Sequence, residues 1–391
     1  MHRLLAASVA ALLAALPVVS GQATQPTCDV APAPVLFLEH ETSLENLAFD
    51  GNGSLYLSDA GGARILRVGP DGALKGELAV DAHGIVWGPD DRLYAAVAAG
   101  EETYDIQRST DRSVTAFETY STGLPVYNGM AFDAEGNLYA TDDNIAPPEV
   151  PPDLVRVPWA DPAKWEPWTD LYGPDGITFD AATGALYTVI TADQASPVLR
   201  LSTTDRSSVQ VVTYLSYGSA TLEPNAHDPQ GDPSYPVPKG LDDLTIGPDG
   251  MLYLAAHLAG ELLRVDPRDG SACLVASGLE EPTSARFARG FGPHDGKLFV
   301  TTWGGTGVTG LALGNAGMHP AGKLWMFDFG GLGGPNAAPA PGPAGNTTVT
   351  PPPMETADTA SGSPASKDSP GPGLAVLPLI LGLALAARRR R

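Results

Sequence analysis

An internal repeat constrains the fold of this chain more than any other feature of its sequence. Residues 241–265 read LDDLTIGPDGMLYLAAHLAGELLRV, in which apolar stretches flank a Gly-Pro-Asp-Gly turn and end in Leu-Leu-Arg-Val. This pattern predicts three short strands joined by tight turns. Three such strands cannot bury their apolar faces alone, so the unit is expected to stack against copies of itself.

Six copies of the unit follow one another along the chain. They begin at Glu45, His83, Asn128, Asp175, Asp242 and Thr283. Their spacing is 38–47 residues, apart from one longer interval before the fifth copy, and this is typical of propeller blades. We therefore predict an all-β, six-bladed β-propeller. The sixth copy lacks an outer strand, and we expect the N-terminal residues 35–38 to supply it and close the last blade.

The two ends of the chain differ in composition from the repeats. Residues 1–23 have the basic start, apolar core and small residues of a signal peptide, which predicts export. Residues 24–330 form the propeller, and residues 331–369, rich in Pro, Gly, Ser and Thr, are expected to be a disordered stalk. Residues 370–391 end in PGPG, an apolar run and four arginines, which resembles prokaryotic surface-sorting tails. A plain membrane anchor is the alternative, and either one predicts attachment to the cell envelope.

Charge and cysteine content narrow the classes of partner and the compartment. The formal net charge of −22 disfavours nucleic acid as a partner, because the chain would repel phosphate. In an oxidising compartment Cys28 and Cys273 form the only possible intramolecular pair. If residues 35–38 close the ring, Cys28 comes near the outer strand of the fifth blade, which carries Cys273. We expect this disulfide in an extracellular or cell-surface protein, and we expect a monomer.

The first strand of each copy carries the residues that could bind an ion or take part in catalysis. First strands line the axis of a propeller, so the six starting residues are expected to face one another at the mouth of the channel. Three carboxylates and one amide there would repel unless a cation lay among them. Oxygen donors with high negative charge suit calcium better than zinc, while magnesium and manganese stay open. The alternative is that these residues simply begin strands, as turn formers often do.

Over residues 35–329 this arrangement resembles the senescence-marker-protein/gluconolactonase/luciferin-regenerating-enzyme family and the related paraoxonase-type lactonases. Four residues match the ligands of the divalent ion that the family binds in its channel: Glu45 in ENLAFD, Asn128 in YNGMAF, Asp175 in PDGITF and Asp242 in LDDLTI. Asp243 corresponds to a fifth ligand in the paraoxonase branch. The chain departs from the pattern at Asp175, where the family usually has Asn, and at Gly129, where paraoxonases have an Asp for a second metal.

The resemblance implies that the protein hydrolyses a small lactone or ester. A bound ion would polarise the carbonyl group, and a general base would activate water. The His83-Gly84-Ile85 segment matches the active-site histidine of paraoxonases, so His83 is the expected base and Asp242 the other candidate. His257 follows the second strand of the fifth copy and is expected to line the pocket. The alternative is that His83 lines the channel and only forms hydrogen bonds with neighbouring residues.

Two other classes of function stay open. A calcium-stabilised propeller could bind glycans or proteins without catalysing a reaction. A quinone-dependent sugar dehydrogenase has the same architecture, but the sequence shows no clear basic cluster at the mouth to anchor that cofactor. Long insertions at residues 142–152, 218–240 and 304–322 are expected to form a rim over the mouth and to select the substrate.

Overall fold

The computed structural model describes residues 25–100, 103–142, 154–169, 171, 173–191, 193, 195–215, 239–305, 321–330 and 332. These residues form six antiparallel sheets of four strands each. Three sheets come from the first half of the propeller: blade 1 from β2 (Leu44–Phe49), β3 (Leu55–Asp59), β4 (Arg64–Val68) and β5 (Leu74–Leu78), blade 2 from β6 (Ala82–Trp87), β7 (Leu93–Ala98), β8 (Tyr104–Ser109) and β9 (Phe117–Leu124), and blade 3 from β10 (Met130–Phe132), β11 (Leu138–Thr141), β12 (Leu154–Val157) and β13 (Glu166–Pro167).

The remaining sheets complete the ring. They are blade 4 with β14 (Pro174–Asp180), β15 (Ala185–Ile190), β16 (Pro197–Ser202) and β17 (Val209–Tyr214), blade 5 with β18 (Leu241–Ile246), β19 (Leu252–Ala256), β20 (Glu261–Val265) and β21 (Ala272–Ser277), and blade 6 with β22 (Pro282–Phe287), β23 (Leu298–Thr302), β24 (Lys323–Phe327) and β1 (Val35–Glu39). The first strand of every blade packs against the first strands of both neighbouring blades. The predicted six-bladed propeller is therefore confirmed.

A repeated tyrosine and arginine explain why the copies share the LY and LRV segments. In blades 1 to 5 a tyrosine of the second strand lies directly opposite an arginine of the third: Tyr56 and Arg67, Tyr94 and Arg108, Tyr139 and Arg156, Tyr187 and Arg200, Tyr253 and Arg264. In blade 5 the turn residue Asp249 accepts hydrogen bonds from Tyr253 Oη at 3.0 Å and from Arg264 at 2.8 Å. Burial of the Tyr94 ring raises the pKa of its hydroxyl. All five tyrosine rings are buried, and in blades 2 and 5 the paired arginine also donates to a turn carboxylate, that of Asp90 or Asp249.

The N-terminal strand closes the ring as predicted. β1 pairs antiparallel with β24, so that Val35 lies opposite Met326 and Glu39 opposite Lys323. Leu47 and Leu57 of blade 1 share a buried cluster with Phe299 of blade 6. The outer edge of blade 6 therefore comes from the start of the chain, and an apolar core joins the last blade to the first.

The segment before β1 is fastened to blade 5. Cys28 and Cys273 form a disulfide with an S–S distance of 2.02 Å, which is the predicted pair. Thr27 makes a parallel bridge with Leu274, and the Leu274 carbonyl accepts the Cys28 N–H at 2.9 Å. The N-terminal segment therefore contacts blade 5 before it crosses to blade 6.

Several predictions fall outside the described residues. They are the signal peptide at 1–23, nearly all of the stalk at 331–369, the C-terminal segment at 370–391, and most of the three insertions at 142–152, 218–240 and 304–322. Among the residues that the structure does describe, none forms a helix with the length and apolar character needed to cross a membrane.

Candidate functional site

A bulge in the first strand of each blade positions the predicted site residues. In five blades the pairing of the first and second strands shifts register at the same point: between Leu44 and Leu47, Ala82 and Ile85, Pro174 and Ile177, Leu241 and Leu244, and Pro282 and Ala285. In blade 3 the N–H groups of Tyr127 and Asn128 both donate to the carbonyl of Thr141. Two residues of each first strand therefore lie outside the regular ladder, and bulges re-aim such side chains. The first of each pair is a predicted residue: Glu45, His83, Asn128, Asp175, Asp242 and Thr283.

Glycine occupies the second bulge position where neighbouring blades approach most closely. An added Cβ would meet main-chain atoms of the next blade: at Gly84 the Asn128 oxygen at 1.9 Å, at Gly129 the Asp175 oxygen at 2.4 Å, and at Gly176 the Asp243 Cα at 2.3 Å. No side chain fits at these three positions without a shift of the backbone. The absence of side chains therefore lets the first strands of blades 2 to 5 crowd around the axis.

Hydrogen bonds connect the buried polar side chains of three blades. The Asn46 Nδ2 donates to Asn128 Oδ1 at 3.2 Å, and the Asn128 Nδ2 donates to Asp175 Oδ1 at 2.5 Å. The Thr191 hydroxyl donates to the other Asp175 oxygen at 2.6 Å. Asn46 belongs to blade 1 and Asn128 to blade 3, so their contact spans blade 2, whose second bulge residue is Gly84. Two of the predicted ligands, Asn128 and Asp175, are thus in direct contact.

The predicted ligands are buried oxygen donors from four blades. Glu45 is 6% exposed, Asn128 5%, Asp175 2% and Asp242 8%. Three carboxylates and an amide match the donor types that hard divalent cations prefer, so the donor chemistry fits calcium. No group of three or more His, Cys, Asp and Glu side chains within the described ranges is arranged to hold a metal. Any site formed by this set would therefore depend on the Asn128 amide.

Asp243, the fifth ligand that the resemblance implies, binds protein groups in this structure. Its Oδ2 accepts hydrogen bonds from the Ser284 hydroxyl and, at 2.6 Å, from Arg286 Nη1. Its Oδ1 accepts the main-chain N–H of Leu244 at 2.8 Å. The side chain of Asp243 is 3% exposed and that of Arg286 is 19% exposed. This ion pair joins blades 5 and 6 and engages both carboxylate oxygens of Asp243.

The predicted base, His83, lies beside two aromatic rings. Its partly buried imidazole meets the ring of Tyr127 edge to face at 5.3 Å, and Tyr127 stacks on Tyr104 at 4.8 Å. Tyr127 directly precedes the predicted ligand Asn128 in the chain. The two tyrosines were not identified from the sequence, although Tyr127 belongs to the same YNG segment.

The predicted pocket residue, His257, contacts Asp242. Its Nδ1 lies 3.3 Å from Asp242 Oδ2, and its Nε2 lies 3.8 Å from Glu281 Oε2. Glu281 is 1% exposed and precedes the first strand of blade 6. Glu281 could not be identified from the sequence because it lies outside the repeat register. The two candidate bases, His83 and Asp242, therefore lie in different surroundings, one beside aromatic rings and the other beside a histidine.

An acidic group with a lowered pKa lies at the end of β3. Burial alone would raise the pKa of Asp59, but hydrogen bonds from His40, Thr42, Arg64 and the Gly62 N–H hold that pKa well below its usual range. His40 Nε2 lies 2.9 Å from Asp59 Oδ2, and the Thr42 hydroxyl donates to Oδ1 at 2.6 Å. These contacts fix the connection between β1 and β2, which leads into Glu45.

Two cavities, of about 310 and 440 Å³, lie beside the disulfide and share Arg264 and Cys273 as lining residues. Neither is lined by a predicted metal ligand or by a predicted catalytic residue. These cavities are therefore separate from the axial residues.

Solved structures with the same architecture include enzymes of different kinds. A gluconolactonase from Xanthomonas campestris is 17% identical, with 79% of this chain and 98% of that chain covered and a TM-score of 0.51. A luciferin-regenerating enzyme is 16% identical over 75% and 94% of the two chains, with a TM-score of 0.52. The PQQ-bound aldose sugar dehydrogenase from Streptomyces coelicolor is 16% identical over 78% and 99%, with a TM-score of 0.51. At these identities the similarity establishes the fold alone.

The match to a family model is more specific than these likenesses. The search of curated proteins finds no match. The model of the SMP-30/gluconolactonase/LRE-like region matches residues 46–304, which is more than half of the chain and reaches into all six blades. The chain therefore belongs to the SMP-30/gluconolactonase/LRE-like family.

Proposed function

We propose that this protein is a divalent-metal-dependent hydrolase of lactones or esters, exported and held at the cell surface. The observation that carries the proposal is the set of buried oxygen donors, Glu45, Asn128, Asp175 and Asp242, which occupy equivalent positions in four blades, with His83 at the equivalent position of blade 2. Membership of a gluconolactonase-like family supports lactone hydrolysis as the general class of reaction. Calcium is the proposed ion because the donors are all oxygen atoms and three are carboxylates.

The residues of the chain have separate tasks in this proposal. Glu45, Asn128, Asp175 and Asp242 would hold the ion, and the ion when bound would polarise the substrate carbonyl and stabilise the oxyanion. His83 accepts the proton of the attacking water through its imidazole. Tyr127 packs against the ring edge to face and restricts its rotation. His257 packs beside the Asp242 carboxylate, with its Nδ1 3.3 Å from Asp242 Oδ2.

The disulfide supports the proposed location. A bond between Cys28 and Cys273 persists in oxidising compartments, such as the outside of a cell, and is rare in the cytosol. The signal-peptide and sorting-tail compositions of residues 1–23 and 370–391 support export and attachment. Fractionation of cells producing the full chain tests this part, because protein found only in the cytosol would contradict it.

A panel of neutral lactones and aryl esters tests the reaction. We expect wild-type turnover in calcium and its loss in chelator, and we expect His83→Gln to lower kcat/KM by about 10²–10⁴-fold, the usual contribution of a general base. His294→Gln is the matched control, since His294 lies beside Phe37 and Phe299 and binds the Pro70 carbonyl, away from the axis. Equal activity of wild type and His83→Gln would exclude His83 as the base.

Thermal unfolding tests the ion independently of turnover. At a calcium concentration one hundred times its Kd, binding adds about 2.7 kcal/mol to the stability of the folded state. Asp175→Ala and Glu45→Ala should lose that increment in calcium and differ from one another only slightly in chelator. Losses of the same size in both buffers would show that these carboxylates hold no ion. Inactivity on the panel together with calcium binding would favour a non-catalytic binding module.

A further inference from the structure

Three blades carry a hydroxyl residue at the same place in the second strand. It lies two residues after the aromatic residue, as Ser58 in LYLS, Thr141 in LYAT and Thr301 in LFVT. All three residues are 0% exposed. Blades 2, 4 and 5 have Ala or Val at this position, so the hydroxyl is not a general requirement of the blade.

Each hydroxyl crosses to the next blade and binds the carbonyl of its first bulge residue. Ser58 Oγ donates to the His83 carbonyl at 2.8 Å, and Thr141 Oγ1 donates to the Asp175 carbonyl. Thr301 Oγ1 donates to the Glu45 carbonyl at 2.6 Å. The three acceptors belong to the proposed base and to two proposed ion ligands.

All three hydroxyls also contact the bulge of their own blade, and Thr141 Oγ1 lies 3.2 Å from the carbonyl oxygen of Gly129. Ser58 Oγ accepts the main-chain N–H of Asn46 at 2.8 Å, and Thr301 Oγ1 accepts that of Ser284 at 3.1 Å. Asn46 and Ser284 are the second bulge residues of blades 1 and 6. One buried oxygen thus fixes two successive bulges relative to each other.

We propose that Ser58, Thr141 and Thr301 are positioning residues of the axial site. A bulge residue lies outside the regular ladder, so its peptide plane needs another partner to define it. A hydroxyl on its carbonyl sets that plane and therefore the direction in which its side chain leaves the backbone. Ion ligands and catalytic groups must be held within about 0.5 Å of their working geometry, which demands such support. The inference rests on the proposed function, because it concerns how the proposed ligands are held.

Thr301 gives the sharpest test because it acts across the point where the ring closes. Thr301 lies in blade 6 and Glu45 in blade 1, and Thr283 Oγ1 lies 2.9 Å from the same Glu45 oxygen. Loss of the Thr301 hydroxyl therefore leaves one partner for this carbonyl, so the expected effect is partial. Thr141 provides a second test away from the closure.

Thr188 supplies the matched control. It is also 0% exposed, in the second strand of blade 4, but its hydroxyl donates to the carbonyl of Gly176 in its own blade at 2.8 Å. Thr188→Val removes a buried hydroxyl from the same kind of strand without removing a contact to a first bulge residue of a neighbouring blade. Its effect on stability therefore estimates the cost of losing a hydroxyl alone.

The experiment measures calcium affinity by calorimetry and thermal unfolding in chelator for wild type, Thr301→Val, Thr141→Val and Thr188→Val. All three variants should lose a similar amount of stability in chelator. Thr301→Val and Thr141→Val should also bind calcium about five- to tenfold more weakly, the effect of one buried hydrogen bond, and Thr301→Ser should restore the affinity. Thr188→Val should bind calcium as wild type does.

Each other outcome overturns a specific statement. Wild-type calcium affinity in Thr301→Val and Thr141→Val, or an equal weakening in Thr188→Val, overturns the positioning role while leaving the proposed function intact. No calcium binding by the wild type overturns the proposed ion site, and this inference with it. If Thr301→Val does not fold, Thr141→Val alone decides between these results.

Discussion

The ion pair between Arg286 and Asp243 allows a quantitative prediction of the stability that is lost when Arg286 is replaced. Arg286→Met removes a charge 2.6 Å from a carboxylate whose side chain is only 3% exposed. Breaking a buried pair in this way costs about 3–5 kcal/mol, because the remaining charge is left uncompensated. Asp243 keeps its hydrogen bonds from Ser284 and from the Leu244 N–H, so we expect the lower end, about 3 kcal/mol. At about 2 °C per kcal/mol for a large domain, Tm should fall by roughly 6 °C.

A double variant, Arg286→Met with Asp243→Asn, distinguishes the energy of the ion pair from the effects of the two single substitutions. With Asp243→Asn also present, no charge is stranded, and we expect the loss in the free energy of unfolding to shrink to about 1 kcal/mol. The measurement is urea unfolding in chelator for both single variants and the double variant. Arg264→Met is the control, because Arg264 forms a more exposed pair with Asp249 and should lose about 1 kcal/mol or less.

Two results would refute this reasoning. Losses that add within about 0.5 kcal/mol in the double variant would show that Arg286 and Asp243 do not stabilise one another. A calcium affinity that falls strongly in Asp243→Asn and not in Arg286→Met would return Asp243 to the ion ligands, as the resemblance to paraoxonases implies.

Two further predictions concern acid stability and axial packing. The pKa of Asp59 is lowered in the folded state, so its ionised carboxylate stabilises the fold above its unfolded pKa of about 3.9, and this stabilisation is lost as the pH falls below that value. Asp59→Asn should therefore flatten the dependence of Tm on pH below about pH 4, as followed by circular dichroism. An unchanged slope would contradict this. Gly84→Ala should destabilise the protein by about 1–3 kcal/mol or more in urea, because its Cβ would lie 1.9 Å from a main-chain oxygen of blade 3, whereas the control Gly76→Ala, with nothing within 4 Å, should cost far less.

The repeat made the architecture predictable from the sequence. Apolar alternation and turn residues recur in every copy, and the missing outer strand of the sixth copy identified the closing role of residues 35–38. The disulfide followed, because closure by that segment brings Cys28 toward the blade that carries Cys273. These features depend on local pattern and on topology, both of which are visible in the order of residues.

The contacts within the site could not be read in the same way. Strand alternation does not reveal that the register shifts between Leu241 and Leu244, so the exact presentation of Asp242 was not predictable. The partner of Asp243 is Arg286, in another blade, and only the assembled ring brings the two together. The register of the six copies and the family resemblance therefore identify the candidate residues, whereas their hydrogen bonds depend on how neighbouring blades pack.

Construction of blade 6 from both ends of the propeller has a consequence for synthesis. Val35–Glu39 can pair with Lys323–Phe327 only when almost all of the propeller has been made, and the cysteines that secure this region are 245 residues apart. Closure over such a separation is entropically costly and slow, so it is a late step of folding. Until then two sheet edges stay open, and such edges pair readily with another chain. We therefore expect that the main form of misassembly of this propeller is exchange of β1 between two nascent copies.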